Sequence, residues 1–462
     1  MYRERKKKWR TIKLVITEII MVVAVIVTVV LLTFFAMGYR VDKDGELGQQ
    51  GLFQIQSHPT GAVVTIDGED LLAHTNTTKL LSAGEHTITL SKDGYDSWTK
   101  TFTSELGRLI KIVYPRLFLQ DRTLETMREY EHPISFFAPA TNRDAVLYSV
   151  DNSNRWILLD VRGDDAIEKE IDLSEQLEGL AVVDVVWDEN SDKVLVKAMR
   201  GDSPEWLLVN ISDLESTISL NKEFDMDFSA AWFISDNGEK LMVLQNGANL
   251  RTIDLSNKTI SGVLAKDVVM ATQYNDKVLY LNNKNEVRIL QENSDNVIVS
   301  TFDEGQKINI LASGYVDSNY LTITVDDKMY IYLGDYPDSN HKLDDMKLIL
   351  EKSIGFVPDT LSVEGFDELI MARAGRKIAV FDAEPDKFST FEVASDQFFF
   401  VDNYMIGAIA DGKLIVSDFD GTNARTLTSA TGTAFITKNN KWMYYLFSDN
   451  GKTIINREQI ID

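Results

Sequence analysis

Residues 134–173 read ISFFAPATNRDAVLYSVDNSNRWILLDVRGDDAIEKEIDL. Four apolar runs stand out: ISFFAP (134–139), AVLYSV (145–150), RWILLDV (155–161) and IEKEIDL (167–173). Asn, Asp, Ser and Gly fill the gaps between them, which is turn chemistry, and each run is strand-length. The unit recurs. VVDVVWD (182–188), KVLVKAM (193–199), EWLLVNI (205–211) and STISLN (216–221) form a second copy. FSAAWFIS (228–235), KLMVLQ (240–245), LRTIDL (250–255) and TISGVLA (259–265) form a third. Further units start near Val269, Ile308, Thr360, Phe398 and Gly432. A loose period of about 40 residues is that of a four-stranded propeller blade. The fold class predicted is therefore all-β, with a β-propeller over 118–462. Eight blades are favoured. Seven is the alternative count, because Thr360–Ser395 is the least regular repeat.

The last unit offers only three strands: TAFITK (433–438), KWMYYLFS (441–448) and TIINREQ (453–459). TLETMREYE (123–131) precedes the first full unit and belongs to none. An open ring would expose strand edges at both ends. The simplest closure makes 123–131 the outer strand of the last blade.

Within these repeats, KLIVSDFDGTNARTLTS (413–429) and the turn Ser235-Asp236-Asn237-Gly238-Glu239-Lys240 resemble TolB-type propellers. That resemblance implies a fold, since propellers host enzymes and scaffolds alike.

Upstream, short alternating runs are separated by tight-turn signals: FQIQS (53–57), AVVTID (62–67), HTITLS (86–91), WTKTFT (98–103) and LIKIVY (109–114). This predicts a small antiparallel β-sandwich over 51–117, with GEDLLAHTNTTKL left as a loop. Ser57-His58-Pro59-Thr60-Gly61-Ala62, Ile66-Asp67-Gly68, Ala83-Gly84 and Lys92-Asp93-Gly94-Tyr95 together resemble a PEGA domain. The resemblance implies an extracytoplasmic β-module with a binding or spacer role. Gly61, Gly68, Gly84 and Gly94 suit turns, and Tyr95 and Trp98 suit the small core.

Ile19 to Met37, IIMVVAVIVTVVLLTFFAM, carries no charge and is long enough to span a membrane. A transmembrane helix is predicted over 14–38, with a linker over 39–50. Glu18 is placed to pair with Lys13 or to reach the headgroups. Trp9 suits the near interface, and Phe34, Phe35 and Tyr39 the far one. A cleaved signal peptide is the rival reading. Its apolar core would be shorter, and FFAMGYR lacks a small-residue cleavage pattern. Residues 1–13 hold seven basic residues and one acidic one, so the positive-inside rule places that tail in the cytoplasm. The basic residues also attract anionic lipid.

The whole chain has 47 Lys+Arg, 71 Asp+Glu and no Cys. Thiolate chemistry and disulfides are excluded, and an acidic body argues against nucleic acid as a partner. His58, His74, His86, His132 and His341 have no zinc-site spacing. Neither a G-x-S-x-G elbow nor a phosphate loop is present; Asn450-Gly451-Lys452-Thr453 reads as a hairpin turn. Asp418 and Asp420 read as turn residues, and Asp188-Glu189, Asp326-Asp327 and Asp344-Asp345 as solvated turns. Trp156, Trp187, Trp206, Trp232 and Trp442 read as blade packing, with a ligand funnel as the alternative. No catalytic, cofactor or metal residue is assigned, and the binding residues stay unknown.

The sequence thus predicts a membrane-anchored, extracytoplasmic binding or scaffold protein of a bacterial envelope, not an enzyme, with a protein or wall polymer as partner. A propeller-based glycan hydrolase or lyase, or an accessory subunit of an envelope complex, is the alternative. The topology has a direct test. Protease added to intact cells should release a fragment containing the propeller; survival of that body until the membrane is permeabilised would reverse the orientation.

Overall fold

The structure is a computed structural model of the 462-residue chain. It describes residues 2–36, 39–41, 47–234, 237–245, 248–291, 296–338 and 342–462. Ser235, Asp236 and His341, singled out above, lie outside the described residues, as do Met37 and Gly38 of the predicted membrane segment and residues 42–46 of the linker. The chain divides into two compact units, Met1–Gln120 and Asp121–Asp462.

In the first unit, helix α1 spans Tyr2–Ala36. Its stretch Ile16–Phe34 is long and apolar enough to cross a membrane, and it is exposed throughout. The Thr28 and Thr33 hydroxyls donate to Ala24 O and Val29 O at 2.8 Å. Both polar groups are thereby satisfied within the helix itself, as a lipid environment requires. Strands β1 (Tyr39–Val41) and β2 (Leu47–Gln49) pair antiparallel after it.

The small domain has seven strands: β3 (Gly51–Ile55), β4 (Val63–Ile66), β5 (Glu69–His74), β6 (Thr77–Leu81), β7 (Gly84–Ser91), β8 (Trp98–Ser104) and β9 (Leu109–Ile112). One sheet runs β6-β3-β9 and the other β5-β4-β7-β8. Strand β8 shows why the sheets stack. Trp98, Lys100, Phe102 and Ser104 are buried, while Thr99, Thr101 and Thr103 face out. Phe102 meets Phe53 of the other sheet edge-on at 6.2 Å. On the outer face, Thr99 and Thr101 pair with Thr89 and Thr87 across the ladder. Two expectations need correction. Strand β3 pairs with β9 in parallel, so the sandwich is not purely antiparallel. The segment read as a loop supplies β5 and β6; β5 is an edge strand with Leu72 fully exposed, so it lacks the alternation that marks a half-buried strand.

The second unit begins with β10 (Leu124–Tyr130). Four-stranded sheets follow in chain order. Strands β11 to β14 are Ile134–Pro139, Ala145–Val150, Arg155–Asp160 and Ile167–Asp172; β15 to β18 are Ala181–Trp187, Lys193–Arg200, Ser203–Asn210 and Ile218–Ser219. Strands β19 to β22 are Phe228–Phe233, Lys240–Gln245, Asn249–Asp254 and Thr259–Ile260; β23 to β26 are Val268–Tyr274, Lys277–Asn282, Glu286–Ile289 and Val297–Thr301. Strands β27 to β30 are Ile308–Tyr315, Ser318–Val325, Lys328–Leu333 and Lys347–Ser353; β31 to β34 are Thr360–Glu364, Leu369–Ala374, Lys377–Asp382 and Lys387–Glu392. Strands β35 to β38 are Phe398–Phe400, Met405–Ala410, Lys413–Asp418 and Arg425–Ser429. The last three, β39 to β41, are Ala434–Ile436, Trp442–Asp449 and Lys452–Gln459. The eighth sheet runs β10-β41-β40-β39, so β10 is its outer strand.

Apolar clusters are shared between neighbouring sheets from the first to the sixth. Trp156 and Leu147 meet Val196, Trp206 meets Phe228, and Ile331 meets Ile370. The eighth sheet packs on the first, with Phe435 and Tyr444 against Phe137 and Tyr148. The Ile436 amide donates to Val401 O of the seventh sheet at 2.7 Å. The fold is a β-propeller. The repeat over Thr360–Ser395 forms a regular ladder without a register shift. The fourth strands expected over 216–221 and 259–265 shrink to two residues each, and a short helix, α2 (Leu220–Phe224), takes over the end of the first.

Closure rests on β10 and β41, which pair antiparallel from Leu124↔Glu458 to Tyr130↔Thr453. Arg457 grips Glu125 through Nε and Nη2 at 2.9 and 2.7 Å, and Nη1 donates to Asp164 O at 2.6 Å. Its guanidinium also lies 4.0 Å from the Trp442 ring centre. The Lys452 ammonium bridges Glu129 and Glu131 at the surface. Replacing Arg457 by Ala should cost about 2 kcal/mol or more, since it strands a part-buried carboxylate and a carbonyl. Replacing Lys452 by Ala should cost far less, since its ion pairs lie at the solvent-screened surface. Denaturant midpoints of the two variants check this, and equal losses would show that Arg457 does not hold the closure.

Candidate functional site

The first strand of each sheet sits innermost. Strands from neighbouring sheets bond directly there: the Ala312 amide of β27 donates to Thr272 Oγ1 of β23 at 3.1 Å. Trp187 Nε1 at the end of β15 donates to Ala138 O of β11 at 3.1 Å. Four consecutive first strands, β11, β15, β19 and β23, carry a register shift near their start: between the first and third residues of β11, β19 and β23 and the second and fourth of β15. Such bulges re-aim side chains. Two of the bulged residues, Val183 and Val269, are apolar yet exposed. The eight first strands contain only two charged residues, Asp184 and Glu364.

A cavity of ≈ 770 Å³ opens where β15, β19 and β23 end. Trp187, Trp232, Phe233 and Tyr274 supply aromatic surface; Asp188, Glu189 and Asp367 supply carboxylates; no basic residue lines it among the described residues. Gln273 and Asn275 add amides. Tyr274 is wedged against Gly314 of β27, where a Cβ would lie 2.1 Å from its hydroxyl. The glycine is needed there for space, since Gly314 has no left-handed backbone.

Asp188, expected as a solvated turn residue, is 1% exposed. Its Oδ1 accepts from the Asp192 and Lys193 amides at 2.9 Å, which folds the turn back on itself. Oδ2 is buried without a hydrogen-bond donor. The Thr141 hydroxyl donates to Asp188 O at 2.9 Å and ties the first and second sheets together.

A second polar group lies at the same ends of the fifth to seventh sheets. Tyr404 donates to Glu368 at 2.9 Å and Tyr315 to Glu384 at 2.7 Å. Burial, then the adjacent carboxylates, push both phenols far above their ordinary range. They remain protonated donors and cannot serve as bases at neutral pH. Burial also raises the Glu364 carboxyl against a hydrogen bond from Ser362. The other first-strand acid, Asp184, lies four sheets away across the ring.

The remaining sequence candidates separate. Trp156 packs edge-on against Phe136 at 4.9 Å. Trp206 donates to Phe228 O, and Trp442 lies under Arg457. Only Trp187 and Trp232 reach the cavity. His86 bonds Asp67 at 2.6 Å and Ser82 O at 2.9 Å. Burial lowers the affinity of this ring for a proton, but the bonds to Asp67 and Ser82 outweigh it and raise its pKa. His132 belongs to the second unit, near Asp151. Among the described residues, no group of three or more His, Asp or Glu is placed to hold a metal ion. Asn450 and Gly451 take left-handed φ of 51° and 85° in the β40–β41 turn. Asp418 accepts from Asn423 and Thr422 within its own turn, and Asp420 accepts from Thr422. Asp326 accepts from the Lys307 amide and Asp327 from Ser353, while Asp344 and Asp345 are exposed.

The spacing between Tyr274 and Gly314 yields a prediction. Gly314→Ala should displace the Tyr274 ring, costing about 1–3 kcal/mol through overpacking. The Gly314→Ala, Tyr274→Ala double variant should recover part of that loss. Thermal unfolding of the three variants decides it, and an additive double variant would show that the contact is not the cause.

Comparison with curated proteins finds no match to this chain. Among solved structures, BamB from Moraxella catarrhalis is similar at 11% identity and a TM-score of 0.41, covering 73% of this chain and 100% of that one. An oligogalacturonate lyase from Vibrio parahaemolyticus shows 10% identity and a TM-score of 0.41, covering 73% and 98%. The β-propeller domain of Myceliophteria thermophila Cps50 (Swd1) shows 10% identity and a TM-score of 0.40, covering 72% and 99%. For the small two-sheet domain there is a family assignment: residues 50–115 match the PEGA domain.

Proposed function

We propose that this is a membrane-anchored binding protein of a bacterial envelope, with residues 1–13 cytoplasmic, 14–38 in the membrane and 39–462 outside. In this reading 39–50 is the linker, 51–117 the PEGA-like module and 118–462 the propeller. The propeller binds a protein or wall polymer at the first-strand ends. The observation that carries the reading is the aromatic and amide lining of the cavity around Trp187, Trp232, Tyr274 and Gln273. Aromatic faces with a few polar groups are what ligand pockets present. The exposed helix stretch Ile16–Phe34 and the PEGA match support anchoring and an extracytoplasmic place.

A photo-crosslinking residue tests the reading in cells. Placed at Phe366, which is 74% exposed beside Asp367, it should yield a defined adduct with a protein or with wall material. Placed at Asp202, in a second-to-third-strand turn at the other end of the ring, it should not. Adducts at both positions, or at neither, would sink the assignment of the binding end. Turnover of an isolated wall glycan by the purified chain would favour an enzyme instead.

A further inference from the structure

We infer that the cavity takes a cationic side chain, so that the partner presents a Lys- or Arg-containing segment to the Trp187–Trp232–Tyr274 end of the propeller. The inference rests on the binding role proposed above and adds the chemistry of the ligand. Three observations carry it. Among the described residues, the cavity lining contains three carboxylates and no base. Aromatic faces from Trp232 and Tyr274 share that lining, and a cation over such a face is attracted by the ring quadrupole. Asp188 is buried in the wall, and its Oδ2 has no protein donor and no ion pair. Two backbone amides hold its Oδ1, and Oδ2 keeps its lone pairs without a donor, so its charge acts through low-dielectric protein, where screening is weak. An anionic ligand is repelled there, and a neutral one leaves the charge unanswered. Charge complementarity therefore favours an ammonium or guanidinium.

The ligand class is tested on the full chain in nanodiscs with labelled hexalysine, hexaglutamate and neutral chitohexaose, at about 0.15 M salt so that distant surface charge is screened. Hexalysine should bind and the other two should not. Asp188→Asn keeps the Oδ1 acceptor of its turn, and Asp367→Asn keeps a side chain that tolerates left-handed φ. Each should weaken hexalysine binding about threefold to tenfold, as should Trp232→Leu. The double variant Asp202→Asn, Asp411→Asn removes two exposed charges at the opposite end of the ring and should change binding less than about twofold. Circular dichroism melting of each variant separates lost folding from lost binding.

Equal weakening by the opposite-end double variant would reduce the effect to net charge and overturn the inference. So would undiminished binding in both Asp188→Asn and Asp367→Asn. Chitohexaose binding that Trp232→Leu abolishes, without hexalysine binding, would keep the binding role and reject the cationic ligand. A chain that binds none of the probes and gives no adduct from Phe366 would reject both.

Discussion

The pairing of β10 with β41 is the constraint on which the propeller depends. A ring of sheets is stable only when its first and last members share a face and leave no long edge. Here the chain meets itself within one sheet: the strand that opens the unit becomes the outer strand of the sheet that ends it. Arg457 on β41 and Glu125 on β10 fix the register near one end of the ladder, and Arg122 bonds both Glu458 and Leu427 O nearby. Glu458 in turn accepts from Thr428 and Tyr445, which binds the seventh sheet to the eighth. One ladder thus sets the pairing at the seam, and one buried acid couples the seam to its neighbour.

Given that ring, the cavity follows from how sheets meet. Middle strands such as β12 and β16 are buried on both faces and hold the apolar clusters. First strands have only one neighbour in their own sheet, so their inner faces are free to carry unusual residues. Bulges on four of them swing Val183, Val269 and their counterparts out of the ladder. The near absence of charge along those strands, against a chain of net −24, leaves the acids concentrated at the strand ends.

Much of this was legible in the sequence. The runs 134–139, 145–150 and 240–245 alternate or stay apolar between turn residues, and the strands match them residue for residue. The missing fourth strand of the last unit pointed to 123–131, because an unpaired edge needs a partner whatever the side chains. The fourth strands at 216–221 and 259–265 were not legible. Leu220 is buried as part of a helix whose first turn is capped by Ser219, and Ile260 is the end of a two-residue strand. Asp188 was misread because residue type alone says solvent; its burial depends on Thr141 and on the turn amides, partners that composition cannot reveal. Tyr274 was missed because its place is set by the absence of a side chain at Gly314, forty residues on.

Asp188 and Tyr274 lie at one end of the ring, and the two left-handed residues with large apolar side chains, Val316 and Phe366, lie at that end too. Val316 takes φ 54° in the β27–β28 turn, although a β-branched residue disfavours that region. Gly365, Phe366 and Asp367 take φ of 63°, 55° and 67° in succession between β31 and β32. A left-handed non-glycine residue costs on the order of 1–2 kcal/mol. Phe366 is also 74% exposed and Val316 71%, so neither repays its strain by burial. Both turns join first to second strands, as do the turns bearing Asp188 and Asn275 in the cavity wall. Strain, exposed apolar surface and a buried carboxylate oxygen without a donor each lower stability, and stability alone would place none of them together. Their coincidence at this end is what a surface shaped for a ligand would show, where local consistency gives way to binding.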